Sequence, residues 1–268
     1  MKIYWLTFAL LGLLTACGGD NSEQNTQQET GASETTSSSK PKNTLVFLDK
    51  SLSVNEDAAY VEKKYTKVLT DLVQRDINGA GDKIEVWLMH ENTAKGKALE
   101  LTSRTALEAT EGMSQTDVEA AQTNYDFSLQ KERLGFTKQI LSQLATPNES
   151  RSNKQTDIQA SLQAIGAVAS KGEPVEVYYF SDMVESMPQK SRRDFHHTPP
   201  KTTAQADEWA KADALGLKSQ YPNLTGVAVH MVLPFEPTTS SKINNPNITQ
   251  YWKTFFTELG VKSVTEEI

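Results

Sequence analysis

One cysteine in 268 residues, Cys17, leaves no partner for an internal disulfide and no basis for a cysteine-held zinc ion. Positive charge is scarce as well. Lysine and arginine total 27 against 34 aspartates and glutamates, a formal net charge of −7, and the bases form no stripe. Without such a stripe, nucleic acid and anionic lipid surfaces are poor partners, and the acidity serves solubility. A glycine-rich phosphate loop and a nucleophile elbow are both missing. No internal repeat is present, and no apolar run is long enough to cross a bilayer comfortably. What remains is room for one large domain or two small ones. Apolar residues make up a modest 37% of the chain, but much of the polarity sits in one segment near the N-terminus, and the rest is ordinary for a globular protein.

Met1-Lys2 is a short positive start, followed by an apolar run over residues 3–14 broken only by Thr7 and Gly12, and then by Leu14-Thr15-Ala16-Cys17. That order has the shape of a secretory signal. Leu-Thr-Ala-Cys resembles a bacterial lipobox. The resemblance implies that residues 1–16 are removed, and that Cys17 carries acyl chains such as palmitate as the first residue of the mature protein. Each buried CH₂ of such a chain contributes about 0.8 kcal/mol, so several chains make a stable anchor. Gly18, not Asp, follows the cysteine, which under the Gram-negative sorting rule implied here favours the outer membrane. A lipid-anchored protein of the cell envelope is therefore expected. Residues 18–42 are almost wholly Gly, Ser, Thr, Gln, Asn and Glu, and they cannot bury enough surface to offset ordering. With Cys17 they form an expected disordered tether over 17–42, with a reach of roughly 25–30 Å. Pro41 closes it, and one domain is expected over 43–268.

Within that domain, Thr44 to Leu48 (TLVFL) suits a buried strand. Val61, Tyr65, Val68, Leu69, Leu72 and Val73 recur at three and four residue spacing, one face of a helix over 56–77 that Asn78-Gly79-Ala80-Gly81 ends. A second strand is expected over 83–90, a hairpin-like turn over 92–96 and an antiparallel edge strand over 97–102. Residues 104–150 are polar and mostly helical in pattern, with Leu134, Phe136, Ile140, Leu141 and Leu144 as the clearest apolar stripe and Pro147-Asn148 as its stop. Ile158, Leu162, Ile165 and Val168 mark another helix ending near Gly172, before a strand over 175–180 (VEVYYF). Residues 188–203 read as a long irregular loop, 204–217 as helix, 226–233 as strand, 249–259 as a closing helix and 261–264 as a last short strand. Strands alternating with helices predict one doubly wound α/β domain, Rossmann-like in layout, with a mostly parallel sheet.

Chemistry gathers at the strand ends. The first strand ends in Asp49-Lys50-Ser51-Leu52-Ser53, which presents oxygen-only side chains at i, i+2 and i+4. On the loop after a buried strand such oxygens can converge on one hard cation. Thr156-Asp157 precedes a helical stripe, and Ser181-Asp182 ends a later strand. An open α/β sheet binds ligands at the carboxyl ends of its strands, beside the point where strand order reverses, so all these oxygens can meet at one edge.

Asp-x-Ser-x-Ser, then Thr-Asp before a helix, then Asp at the end of an apolar strand resembles the metal-ion-dependent adhesion site of von Willebrand factor type A domains. The resemblance covers about residues 43–264. It implies Ser51, Ser53 and Thr156 as direct hydroxyl ligands, with Asp49 and Asp182 binding through metal-bound water or directly. The implied cation is divalent, Mg²⁺ first, with Mn²⁺ or Ca²⁺ as alternatives. Neutral hydroxyls leave such a cation electrophilic, so a vacant position attracts an Asp or Glu carboxylate from a protein partner. The sequence departs from the family pattern at Gln155, where Gly is usual, and at Ser181-Asp182-Met183, where Thr-Asp-Gly is common. Methionine lacks glycine's tolerance of positive φ, so a different loop is expected there.

Each residue also has a plainer use. Ser51, Ser53 and Thr156 can cap helices, and Asp182 can make an Asx-turn. His196-His197 lack a third ligand at metal spacing and read as solvated, whereas His90 and His230 lie in strand patterns and read as packed or hydrogen-bonded. Trp252, Phe255 and Phe256 read as core. The resulting expectation is a membrane-tethered, divalent-metal-dependent binding module that is not an enzyme. Its rivals are a phosphohydrolase of the haloacid dehalogenase type, which wants an acid where this chain has Ser51, and a degenerate type A domain that binds without metal.

Overall fold

The computed structural model describes residues 40–51, 54, 58–146, 155–189, 191–235 and 245–267. Cys17, the signal-like segment, the tether up to residue 39, Ser53 and the Pro147-Asn148 stop lie outside the described residues. No helix among the described residues is long and apolar enough to cross a membrane.

A six-stranded sheet organises the domain. Its strands are β1 (Asn43–Asp49), β2 (Lys83–Met89), β3 (Lys97–Thr102), β4 (Val175–Phe180), β5 (Val227–Val232) and β6 (Ser263–Glu267). They lie in the order 3-2-1-4-5-6, all parallel except β3, which runs antiparallel to β2 at one edge. This is the α/β layout expected from the sequence, a mostly parallel sheet of the type A or Rossmann-like kind with one antiparallel edge strand.

The α-helices among the described residues are α1 (Ala58–Asp76), α2 (Gln115–Ala145), α3 (Ser161–Ala169), α4 (Thr203–Leu217) and α5 (Pro246–Glu258). Strand side chains alternate between two faces. In β1, Leu45 and Phe47 join the core built with α3, α4 and α5, while Val46 and Leu48 join the core built with α1 and α2. Both sides of β1 are therefore buried, which is why its sequence reads as an unbroken apolar run. Trp252, Phe255 and Phe256 of α5 are core, as expected.

Several boundaries differ from the sequence reading. The region after β3 is irregular as far as Ser114, whose side chain caps α2 by accepting from the Asp117 amide at 3.3 Å. Leu134 does not belong to the buried stripe and is 60% exposed. The buried positions on α2 are Leu129, Phe136 and Ile140, and a residue two places from Phe136 points nearly the opposite way on a 3.6-residue turn. The turn before β3 is a short 3₁₀ segment, Thr93–Lys95. The last strand runs to Glu267, beyond the expected 264.

Candidate functional site

Sheet order reverses at β1. The chain goes from β1 to β2 on one side and later inserts β4 on the other. Leu48 is in register with Phe180, so Asp49 and Ser181 emerge side by side at the carboxyl end of the sheet. Ligands of open α/β sheets bind at such a point.

Asp49 is 5% exposed and is held from two sides. Its Oδ1 accepts the Ser51 amide at 2.8 Å, and its Oδ2 accepts the Ser181 hydroxyl at 2.6 Å. Burial pushes the Asp49 carboxyl up to about 7, the charge of Asp182 adds to this, and hydrogen bonds from Ser181 and Ser51 pull it back. None of these groups is a cation. Asp182 Oδ1 accepts the Val184 amide at 3.1 Å, which is an Asx-turn, so this plainer use is realised alongside the charge facing Asp49. Lys50, next in sequence to Asp49, places its ammonium on the carbonyls of Leu144 and of Thr146 (3.0 Å) at the end of α2. Burial lowers the Lys50 ammonium to about 8.

Thr156 does not cap α3. The cap position is Ala160, and the turn before the helix is held by the Asp157 carboxylate accepting the Ala160 amide at 2.9 Å. Thr156 is 2% exposed and forms a two-way backbone bridge with Ser186, with N–O distances of 3.3 and 3.0 Å. The loop after β4 that carries Asp182 is thus joined to the loop that carries Thr156. Asp49, Ser51 and Asp182 come together, and Thr156 attaches to that group through the backbone of the Asp182 loop.

Met183 takes φ 61°, the one non-glycine residue at positive φ among the described residues. The expected departure is therefore not in the backbone, which adopts the conformation a glycine would, with a methionine side chain that is wholly buried. The Met183 amide donates to Ser181 Oγ at 2.9 Å, and its carbonyl accepts the Trp252 indole N–H at 2.8 Å.

Three contributors had weak or absent sequence signals. Ser181 reads only as a neighbour of Asp182, and Tyr65 reads only as one member of an apolar stripe. Tyr65 is 1% exposed, its hydroxyl has no hydrogen-bond partner among the described residues, and the charges of both Asp49 and Asp182 act on it. Glu185, fully buried and pushed up to about 7 mainly by burial, accepts the Ile158 amide at 2.7 Å and pairs with Arg192. No spacing rule marks a glutamate three residues past a strand-end aspartate.

No family model matches the chain. No curated protein sequence matches it either. Solved structures similar in arrangement include the human COPII-coat protein Sec24c, at 8% identity and TM-score 0.44, with 85% of this chain and 29% of that one covered. Another is the pilus adhesin SpaC from Lactobacillus rhamnosus GG in an open conformation, at 13% identity and TM-score 0.41, covering 86% and 28%. Proximal thread matrix protein 1 from the mussel byssus follows at 12% identity and TM-score 0.36, covering 85% and 42%. The chain spans less than half the length of each. With scores this low they carry no argument, and the fold stands on strand order and register.

A divalent cation fits the donor chemistry of this rim. Buried Asp49 faces the charge of the half-buried Asp182, the hydroxyls of Ser51 and Ser181 bond to it, and the buried Tyr65 hydroxyl, on which both acids act, lacks a partner among the described residues. Among the described residues no group of three or more His, Cys, Asp or Glu side chains is placed to hold a metal ion, so the donors on offer are two acids and neutral oxygens.

The two histidines of the 188–203 loop behave as solvated residues: His197 is exposed and its Nδ1 lies 2.8 Å from Asp194. His230 bonds Glu176 at 2.7 Å and stacks on Tyr178.

Proposed function

We propose that the chain is a divalent-metal-dependent protein-binding module, in which Asp49, Ser51, Ser53, Thr156 and Asp182 hold Mg²⁺, with Mn²⁺ or Ca²⁺ as substitutes. The supporting observation is that the buried Asp49 carboxylate faces the charge of the half-buried Asp182 at the switch point of the sheet, without a base among the groups that act on Asp49. Holding the charged form of a buried carboxylate beside a like charge is costly, and a bound cation offsets that cost. When bound, the cation supplies a Lewis-acidic point that a partner's Asp or Glu carboxylate can reach. Ser51 and Thr156 offer neutral oxygens and so leave its charge largely available. Ser181 and the Ser51 amide orient Asp49. Recognition of this kind needs no general base or nucleophile, and we read the protein as a binder rather than an enzyme. Ser51 stands where a phosphohydrolase of the haloacid dehalogenase type would need its second acid.

A metal that binds only the folded state raises its stability, by about 2.7 kcal/mol at a hundredfold excess over Kd. For a domain of this size that shifts Tm by roughly 5–10 °C. Calorimetry with Mn²⁺ or Mg²⁺ against chelator should show the shift, and Asp49→Ala should abolish it with far-UV circular dichroism unchanged. Identical melting curves with millimolar metal and with chelator would refute the site.

We also propose a lipid anchor at Cys17 in the cell envelope, probed by membrane fractionation of Cys17→Ser. Release into the soluble fraction is expected, and retention in the membrane would contradict the anchor.

A further inference from the structure

We propose that Arg192 is a positioning residue for this rim: a buried clamp of Glu185, Arg192 and Asp157 fixes the Thr156 loop against the Asp182 loop and thereby sets the affinity for the cation. The clamp itself stands on geometry alone, and its effect on affinity rests on the metal reading above.

Neither Thr156 nor Asp182 lies within a helix or a strand of the sheet, so no regular hydrogen-bond ladder fixes their separation. Two backbone bonds between Thr156 and Ser186 join the loops, one of them long at 3.3 Å. The clamp supplies the rest. Glu185 follows Asp182 by three residues, and Asp157 follows Thr156 directly. A single guanidinium nitrogen of Arg192, Nη2, contacts Asp157 Oδ1 and Glu185 Oε1 together. The side chains of Glu185, Asp157 and Arg192 are 0%, 10% and 18% exposed. Away from water these contacts are electrostatically strong. Both acids also hold backbone in the Thr156 loop: Glu185 Oε2 accepts the Ile158 amide at 2.7 Å, and Asp157 Oδ1 accepts the Ala160 amide at 2.9 Å. Glu185 therefore reaches from one loop into the other by charge and by hydrogen bond at once. The loop that supplies Arg192 is in turn laced to the strand-end loop, with the Phe195 amide donating to the Glu185 carbonyl at 2.8 Å.

Without Arg192 the shared guanidinium contact that ties Glu185 to Asp157 is lost, and whether the two acids repel or one takes up a proton, nothing from this residue holds the loops together. Thr156 and Asp182 would then no longer present their oxygens at one distance. Residues behind the ligands commonly govern metal affinity in this way. Lysine is a partial substitute, since it keeps the charge but not the planar fork.

The test compares Arg192→Met, Glu185→Gln and Arg192→Lys with Arg193→Met, an adjacent arginine that pairs instead with Asp213 of α4 at 2.6 and 2.9 Å. Two quantities are read: amide hydrogen exchange at Thr156, Ile158 and Ser186 in metal-free protein, and affinity for Mn²⁺ from water-proton relaxation. In Arg192→Met the three amides should exchange about tenfold faster or more, while the β1 and β4 core amides hold their rates. Mn²⁺ should bind about tenfold more weakly or worse. Arg192→Lys should recover part of both effects, and Arg193→Met should change neither. Unchanged exchange at Thr156 and Ser186, uniform acceleration across the sheet, or the same result from Arg193→Met would overturn the clamp. Faster exchange with unchanged Mn²⁺ affinity would overturn its role at the site. Wild-type protein that binds no Mn²⁺ would refute the metal reading, and the exchange data would still decide the clamp. If Arg192→Met does not fold, Glu185→Gln, which keeps the shape and an acceptor for Ile158, carries the comparison.

Discussion

Met183 shows at the scale of one residue how a site can hold a conformation its sequence disfavours. A non-glycine residue in the left-handed region costs on the order of 1–3 kcal/mol and persists only where the surroundings over-determine it. Here the amide bonds to Ser181, the carbonyl accepts the Trp252 N–H, and the side chain is fully buried. The same few residues set the response to pH. The carboxyls of Asp49 and Glu185 are both pushed up to about 7, in each case mainly by burial. In chelated protein the folded state therefore keeps protons that the unfolded chain releases near its ordinary carboxylate values. Stability from this source is fully present below about pH 4, falls as pH rises towards 7, and is flat above that. Urea melts of chelated protein from pH 4 to 8 should show that fall, and stability that climbs with pH across the window would contradict the burial of these acids.

Among the elements, α2 is unusual for its length and for how little of it is buried. Leu129, Phe136 and Ile140 carry its contact with the sheet, and its C-terminus receives the Lys50 ammonium on the carbonyls of Leu144 and Thr146. A cation at a helix C-terminus satisfies orphan carbonyls and complements the helix dipole. Because Lys50 lies between Asp49 and Ser51, the end of α2 is coupled to the candidate cation loop. Lys50→Met should destabilise the protein by about 1–3 kcal/mol and speed amide exchange in the last turn of α2. Wild-type exchange there would make the contact incidental. A second element-scale constraint lies at the turn into β3. A Cβ on Gly96 would meet the Leu88 carbonyl oxygen at 2.1 Å, so only glycine lets the two chains approach this closely.

Across the whole molecule, the aromatic core under α5 is physically continuous with the rim. Trp252 packs edge-on against Tyr251 and Phe255 with ring centroids 5.0 and 5.2 Å apart, and its indole N–H reaches the Met183 carbonyl. The closing helix thus braces the loop that carries Asp182 from below. Trp252→Phe keeps most of the apolar volume but leaves that buried carbonyl without its donor, at a cost of about 1–3 kcal/mol. Tm should fall by roughly 3–10 °C, with weaker Mn²⁺ binding because the Asp182 loop loosens. A variant with wild-type Tm and Mn²⁺ affinity would show that the indole contact does not brace the site.

The local pattern of apolar residues and turn formers fixed most strands and helices of this fold in advance. The unbroken apolar run of β1 and the three-and-four spacing of α1 are written into a few consecutive residues, and burial reads them directly. The strand-end oxygens Asp49, Ser51 and Asp182 were legible for the same reason, because each belongs to a short pattern beside a strand. Leu134 was misplaced because a helix with a sparse buried face leaves its phase ambiguous to local reading. Tertiary structure alone decided that Ser181 holds Asp49, that the charges of Asp49 and Asp182 both act on a Tyr65 whose hydroxyl is unsatisfied among the described residues, and that Arg192 joins Glu185 to Asp157. Those contacts link residues up to 132 positions apart, and no local periodicity encodes which distant side chains a folded sheet brings together at its edge.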